Sequence, residues 1–432
     1  MKKLYLGVAR EIITPPIGGA LYGYQPDWLS EALEDDLTVT AFSFRQGCRR
    51  AMMLSATVCL IRTELANRIL DGISEKTGIP RENILLSATH THSGPNTAGA
   101  FGWGDLDEKY CREIFVPRIL SAAEKAAGET QAVTMYAAVG ESLVGINRRQ
   151  LSNDSNTAVL GQNPWGPFDP RMTVLSFRDE AGKTVANLIH YGCHGTAAGK
   201  NREITRDWSG RMTDALEAET GGITAFFNGP EGDVGPRISN GKTTGDLTYV
   251  RELGAVAAGD ALRIYRQAEP RAAALEVATF PVAVPLEPRM REEEAREQLK
   301  LYKGNTVNKK GQICRQLETV LEAYEKREPE QSHFPFPQTV ISLGDYVFVS
   351  FPFELFSEIG MRINGFFEDK TILSLSNTNG SEGYFVTEDA FCRGGYEVDM
   401  HLYGHIQTYR RDADFLLALA TVETINRLKK ES

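Results

Sequence analysis

The 432 residues predict an α/β fold of mixed β-sheets flanked by helices, forming one large unit (1–432) with a helical excursion at about 289–330. Short apolar runs rich in Val, Ile, Phe and Tyr alternate with segments of helical period. Strand pairs follow one another directly as well as through helices, which marks a mixed sheet rather than a purely parallel one. No linker, repeat or low-complexity tract divides the chain, and its length fits one large or two intimately packed globular units.

The strands expected from pattern are 4–13, 37–44, 51–60, 84–88, 133–138, 172–177, 184–191, 223–227, 339–343, 346–350 and 371–374. The expected helices are 64–77, 108–127, 208–220, 247–267, 355–367 and 413–430. Gly78 and Pro80 stop the first helix, and Asp207 is placed to cap the third. The stretch 289–330 is strongly charged, helical in period and poor in strand formers, so it reads as a solvated helix pair, with a lid or an oligomer contact as alternatives.

A hydrophobic share of 42% and a charged share of 24% are those of an ordinary folded domain, which argues against disorder. No run reaches the roughly 18 apolar residues of a spanning helix, so no integral membrane segment is expected. The first residues have a basic tip but meet Arg10 and Glu11 before any apolar stretch of useful length, unlike a signal peptide. Cys48, Cys59, Cys111, Cys193, Cys314 and Cys392 show no C-x-x-C spacing, so reduced thiols and a cytoplasmic location are the simplest expectation. A net charge of -10 opposes nucleic-acid binding and favours a small-molecule substrate, neutral or cationic, while leaving a homo-oligomer open.

Chemistry concentrates in two stretches that hold four of the seven histidines, Thr89-His90-Thr91-His92-Ser93-Gly94-Pro95 and His190-Tyr191-Gly192-Cys193-His194-Gly195-Thr196. Both lie where a strand runs out, and a neutral imidazole there can face an open crevice while the sheet holds it. His90 and His92 are two apart, so on an extended segment they point the same way, one toward a metal and one toward substrate. His194, followed by glycine, is the better ligand of its pair, and His190 the better hydrogen-bonded core residue. The loop Asn228-Gly229-Pro230-Glu231-Gly232-Asp233-Val234-Gly235-Pro236 lacks the spacing of a phosphate loop and reads as a site wall. There Asp233 either orients a ligating histidine or caps a turn. Glu354, directly after an apolar strand and Pro352, is a candidate third ligand.

These blocks, together with Arg10 to Pro16, Ile146-Asn147-Arg148, Pro352-Phe353-Glu354, Tyr384 and Tyr396-Glu397, resemble the neutral ceramidase family, zinc-dependent amidases that split the N-acyl bond of ceramide. The matches run in order from the N-terminus to about residue 410. The resemblance implies Zn2+ held by His90, His194, Glu354 and Tyr384, with His92, Arg148 and Tyr396 around the scissile carbonyl. Two imidazoles and a carboxylate would leave such a zinc open to water and substrate. The metal would lower the pKa of its water to roughly 7, Arg148 and Tyr396 would steady the oxyanion, and His92 would carry the proton.

The chain departs from the family in several places. Gly235 stands where the family has serine, which removes a serine nucleophile there and leaves a zinc-water mechanism intact. Phe353 stands where glycine is usual and is expected to narrow the pocket. The family's C-terminal β-sandwich domain is not expected. A metal-dependent hydrolase of a linear amide or related acyl bond, other than a true ceramidase, is therefore the expected function. A zinc hydrolase of an ester, lactone or glycosidic bond, or a binding protein without catalysis, stand as the alternatives.

Overall fold

Period-two burial along the strands sorts their side chains onto two faces, and each face finds a different partner. In the computed structural model, which describes residues 2–154, 157–400 and 406–428, the larger sheet has nine strands. Its order is Ile223–Asn228, Thr184–Tyr191, Arg171–Arg178, Gln131–Glu141, Leu4–Ile12, Thr38–Gln46, Arg49–Ala56 and Ile84–Ala88, with Glu269–Arg271 added onto Gln131–Glu141. The two ends of this order are parallel pairs and the middle is antiparallel, a mixed sheet as expected. The smaller sheet has the order Leu275–Pro285, His333–Leu343, Tyr346–Ser350 and Thr371–Leu375.

One face of each sheet packs on the other: Phe42, Phe44, Phe177, Leu188 and Phe227 meet Ile341, Leu343, Phe348 and Leu373. The opposite face of the large sheet is covered by four helices. Thr63–Thr77 and Val116–Gly128 cover Val39, Leu54 and Leu86, while Asp207–Thr220 and Leu247–Arg266 cover Val174, Ile189 and Phe226. Ser357–Gly365 and Ala413–Leu428 close the outer face of the small sheet over Val340, Val347 and Val349. The result is four layers, helix, sheet, sheet and helix. Each aromatic side chain buried between the sheets supplies roughly 1.5–3 kcal/mol of transfer free energy.

Several elements differ from expectation for identifiable reasons. The strand Leu275–Pro285 was not expected because Pro281 and Pro285 interrupt its pattern. Among the described residues it pairs on one side only, with His333–Leu343, and an edge strand tolerates residues that cannot donate. Pro335 and Pro337 likewise hid the first half of its partner. The expected helix 108–127 contains a π-helical stretch at Cys111–Phe115, and residues 429–430 of the last expected helix lie outside the described residues. Gly78 ends its helix in the left-handed conformation as expected, at φ 63°.

The charged excursion is a helix pair, Glu292–Tyr302 and Asn308–Glu325. It is docked, not merely solvated: Trp103 Nε1–H donates to Gln312 Oε1 at 2.7 Å, and Lys309 pairs with Asp399 in the helix Tyr396–Met400. All six cysteines are free. Among the described residues no helix is long and apolar enough to cross a membrane.

Candidate metal centre

The strand Ile84–Ala88 stops just short of His90, and Thr184–Tyr191 stops just short of His194. The two loops then join. Thr91 bridges Gly195 in parallel, and His92 N–H donates to the Gly195 carbonyl at 3.1 Å. Gly195 is needed for this approach, since a Cβ there would sit 2.8 Å from the His90 carbonyl oxygen. Asn228 ties the loops from below: its Nδ2 donates to the Thr89 carbonyl at 3.1 Å, and its Oδ1 accepts from the Cys193 amide at 3.1 Å. His90 itself has φ 67°, so the expected extended geometry is wrong in detail. A left-handed turn, not strand alternation, brings the His90 and His92 rings together, with their Nε2 atoms 3.2 Å apart.

Glu354 and Tyr384 arrive together from the other side. They face each other in a short parallel pairing of Glu354–Leu355 with Tyr384–Phe385. Gly232 packs against this pair so closely that a Cβ would lie 2.5 Å from the Glu354 carbonyl oxygen. The nearest donor atoms of His90, His194 and Glu354 all lie within 4.8 Å of one another, and all three residues are buried.

The hydrogen bonds around this triad fix its chemistry. His90 Nδ1–H donates to the Cys59 carbonyl at 3.0 Å, and His194 Nδ1–H donates to the carbonyls of Glu231 at 2.8 Å and Val234 at 3.1 Å. A carbonyl can only accept, so each Nε2 carries a lone pair, that of His90 also lying against His92 Nε2 at 3.2 Å. Those lone pairs face Glu354 Oε2 at 3.4 and 3.3 Å, and among the described residues neither His194 Nε2 nor Glu354 Oε2 has a hydrogen-bond partner. Burial lowers the pKa of both histidines well below the usual value, so protonation does not relieve the repulsion. Two lone pairs and a carboxylate, desolvated and converging, fit a cation.

Beside the triad, burial lowers His92 to about 4, against an opposing pull from Glu354, so its imidazole is neutral near pH 7. Arg148 Nη2 donates to Tyr384 Oη at 3.0 Å, while its Nε donates to Glu397 Oε1 at 2.8 Å. Arg149 Nη1 donates to the other oxygen of Glu397 at 2.6 Å. Burial works against the Arg148 charge, but Tyr384, Glu397 and Glu354 outweigh it and raise its pKa. The Tyr384 and Tyr396 rings are edge to face at 5.9 Å, and burial first, then Glu354, raises both phenols. His90, His92, Arg148, His194, Glu354, Tyr384 and Tyr396 are thus brought into one cluster.

The remaining candidates lie elsewhere. His190 Nε2–H donates to the Ser374 carbonyl at 2.9 Å, which places it in the core. The Asp233 carboxylate does not touch a histidine. It accepts from Ser357 N at 2.7 Å and Ser357 Oγ at 3.1 Å, at the start of the helix Ser357–Gly365, and from Asn147 Nδ2 at 3.2 Å. Burial raises it to about 7. Phe353 does not narrow the site; its ring packs on Phe336 at 5.3 Å and Phe385 at 4.9 Å within the hydrophobic core. Gly235 faces Thr243, and a Cβ there would come within 2.6 Å of Thr243 Cβ. Three residues were not anticipated. Glu231, Asn377 and Cys59 surround the His90 and His194 rings, with Asn377 Nδ2 donating to Glu231 Oε1 at 2.6 Å. Only the loop around Glu231 carried any signal in the sequence.

Residues 5–250 match the sequence profile of the neutral/alkaline non-lysosomal ceramidase family, N-terminal region, and the chain belongs to that family. It is 28% identical over 206 residues to neutral ceramidase A of Dictyostelium discoideum, a match covering 43% of this chain and 29% of the relative. It is 28% identical over 202 residues to the neutral ceramidase of Pseudomonas aeruginosa, covering 43% and 30%. These matches span less than a third of each relative's length. The crystal structure of the Pseudomonas aeruginosa enzyme superimposes with a TM-score of 0.74 at 17% identity, covering 99% of this chain and 75% of that one. The mixed α/β fold of this chain is therefore the neutral ceramidase fold.

Proposed function

We propose that the chain is a zinc-dependent hydrolase that cleaves the amide bond of an acyl compound. The observation that carries this reading is the convergence of two fixed Nε2 lone pairs on the unpartnered oxygen of a buried carboxylate. His90, His194 and Glu354 would hold the ion, with the Tyr384 hydroxyl as the fourth group. Bound there, zinc supplies Lewis-acid polarisation of the acyl carbonyl and lowers the pKa of a water molecule.

The surrounding residues supply what the ion does not. Glu397 clamps the Arg148 guanidinium, so that its charge is held in place where an oxyanion develops, without reorganisation. Tyr396 keeps its proton and can donate to the same oxygen. His92, neutral and only half buried, is the group placed to accept and return a proton at a ring nitrogen. No serine is needed, and Gly235 could not present one to the cluster, because its Cβ direction leads into Thr243.

Phe353 and Gly235 gave reasons to look away from ceramide. Both lie outside the cluster, so ceramide belongs in the substrate panel beside shorter N-acyl amides, esters and glycosides. Zinc-loaded protein is expected to hydrolyse an amide in that panel, to lose the activity on chelation and to regain it with zinc. Arg148→Lys, which keeps charge but cannot bond both Glu397 and Tyr384, should lower kcat by about 10²-fold. Hydrolysis confined to esters or glycosides, or no metal-dependent turnover at all, would refute the amidase reading.

A further inference from the structure

A fourth residue that the sequence did not announce borders the metal centre. Residues 18–30 fold back on themselves, Leu21 N–H donating to the Trp28 carbonyl at 2.7 Å and Ser30 N–H to that of Gly19 at 2.9 Å. The turn is tied to the first histidine stretch, with Leu21 bridging Pro95 and Tyr22 N–H donating to the Gly94 carbonyl at 2.9 Å. Gly23 follows at φ 126°, and a Cβ there would lie 2.4 Å from His92 Nδ1. Such a φ and so close a contact both call for a residue without a Cβ. The result is the placing of Tyr24, whose ring meets the His92 ring edge to face at 5.1 Å.

His92, Tyr396 and Tyr24 are part-exposed, whereas His90, His194, Glu354, Tyr384 and Arg148 are buried. The first three therefore form the open side of the cluster. Tyr24 is part-exposed along its ring, but its hydroxyl oxygen is buried and among the described residues has no hydrogen-bond partner. Burial first, then Asp207, raises this phenol, while the Arg148 charge pulls the other way and Tyr396 adds to the rise. The hydroxyl keeps its proton and lies in the field of the two groups assigned to the acyl oxygen.

A buried hydroxyl without a partner is destabilising, because it has given up water and received nothing in exchange. A substrate can supply what is missing. On the amidase reading Arg148 and Tyr396 both donate to the acyl oxygen, and Arg148 has no acceptor atom. An amide also brings an N–H, on the leaving side of the carbonyl, which is the side His92 serves. The lone pairs of Tyr24 Oη, at the edge of His92, have no other claim on them.

We infer that Tyr24 is a substrate-binding residue whose hydroxyl accepts the hydrogen bond of the scissile amide N–H, so that the site favours an amide over an ester of the same shape. This deepens the amidase reading, on which it rests, by giving the leaving side of the substrate its own contact.

The test compares Tyr24→Phe with the wild type, both zinc-loaded, on N-benzylhexanamide and on benzyl hexanoate, which has the same outline and no N–H. The kcat/KM for the amide should fall about three- to tenfold, chiefly through KM. The ester, followed as substrate or as competitive inhibitor, should be handled alike by both proteins, and zinc content should not change. Thermal unfolding of the zinc-free proteins needs no turnover. There the variant should melt no lower than the wild type, since it loses a hydroxyl that had no partner. A lower melting temperature would show that the hydroxyl is already satisfied in the free protein and would overturn the proposal, as would equal losses on amide and ester or no loss on either. No turnover of the amide by the wild type would instead remove the amidase reading, and with it any N–H for Tyr24 to hold.

Discussion

His190 and His194 lie on the same strand exit, four residues apart, both buried and both held neutral by burial, yet their surroundings give them opposite uses. His190 spends its Nε2–H on the Ser374 carbonyl. His194 spends Nδ1–H on Glu231 and Val234 instead, and its Nε2 is left bare toward Glu354. On the proposed zinc reading, residue type and burial do not separate a ligand from a core histidine; the nitrogen engaged by the backbone does.

The largest expected effect separates the two directly. His194→Ala should lose stoichiometric zinc and all metal-dependent turnover, measured by elemental analysis and the amide assay, while His190→Gln keeps both. Equal zinc loss in the two variants would break the comparison. The next effect sharpens it. Burial sets the folded pKa of His190 to about 4, below the model-compound value of 6.5. Its neutral form is therefore fully accommodated above pH 6.5, and stability falls as pH drops toward 4, because the unfolded chain binds the proton first. His190→Gln should remove up to about 3 kcal/mol of that pH dependence, read from denaturant unfolding of the zinc-free proteins between pH 4 and 7. The same variant should be about 1–2 kcal/mol less stable at pH 7 if its amide meets the Ser374 carbonyl less well.

The smallest effect concerns the position that differs from the family. Gly235→Ser should cost about 1–3 kcal/mol through overpacking on Thr243, lower the melting temperature, and leave substrate preference unchanged. A new activity in that variant would show that position 235 does reach the cluster.

Much of this was legible because its signals are local. The two histidine stretches, the apolar strands before them and the Gly78 stop each lie within a few residues of sequence. The resemblance to a family placed Glu354 and Tyr384, which local pattern supported only weakly. What stayed hidden is tertiary. The partners that set the tautomers are backbone carbonyls of Cys59, Glu231 and Val234, 31 to 40 residues from the histidines they hold. No side-chain chemistry in the sequence announces them. Asp233 looked like a histidine partner because it is an acid in the right loop, but its carboxylate turns toward Ser357. Phe353 looked like a pocket residue because it stands where the family usually has glycine, but its ring turns into the core against Phe336 and Phe385. The edge strand Leu275–Pro285 escaped because its prolines argue against a strand unless one knows that one side is unpaired.

The central claim is that the Nε2 lone pairs of His90 and His194 share one ion with Glu354. Anomalous diffraction at the zinc edge on zinc-loaded crystals tests it most directly. The account predicts one fully occupied peak about 2.0–2.1 Å from Nε2 of both histidines, with His190 still bonded to Ser374. A zinc peak elsewhere, with these two nitrogens uncoordinated, would contradict it.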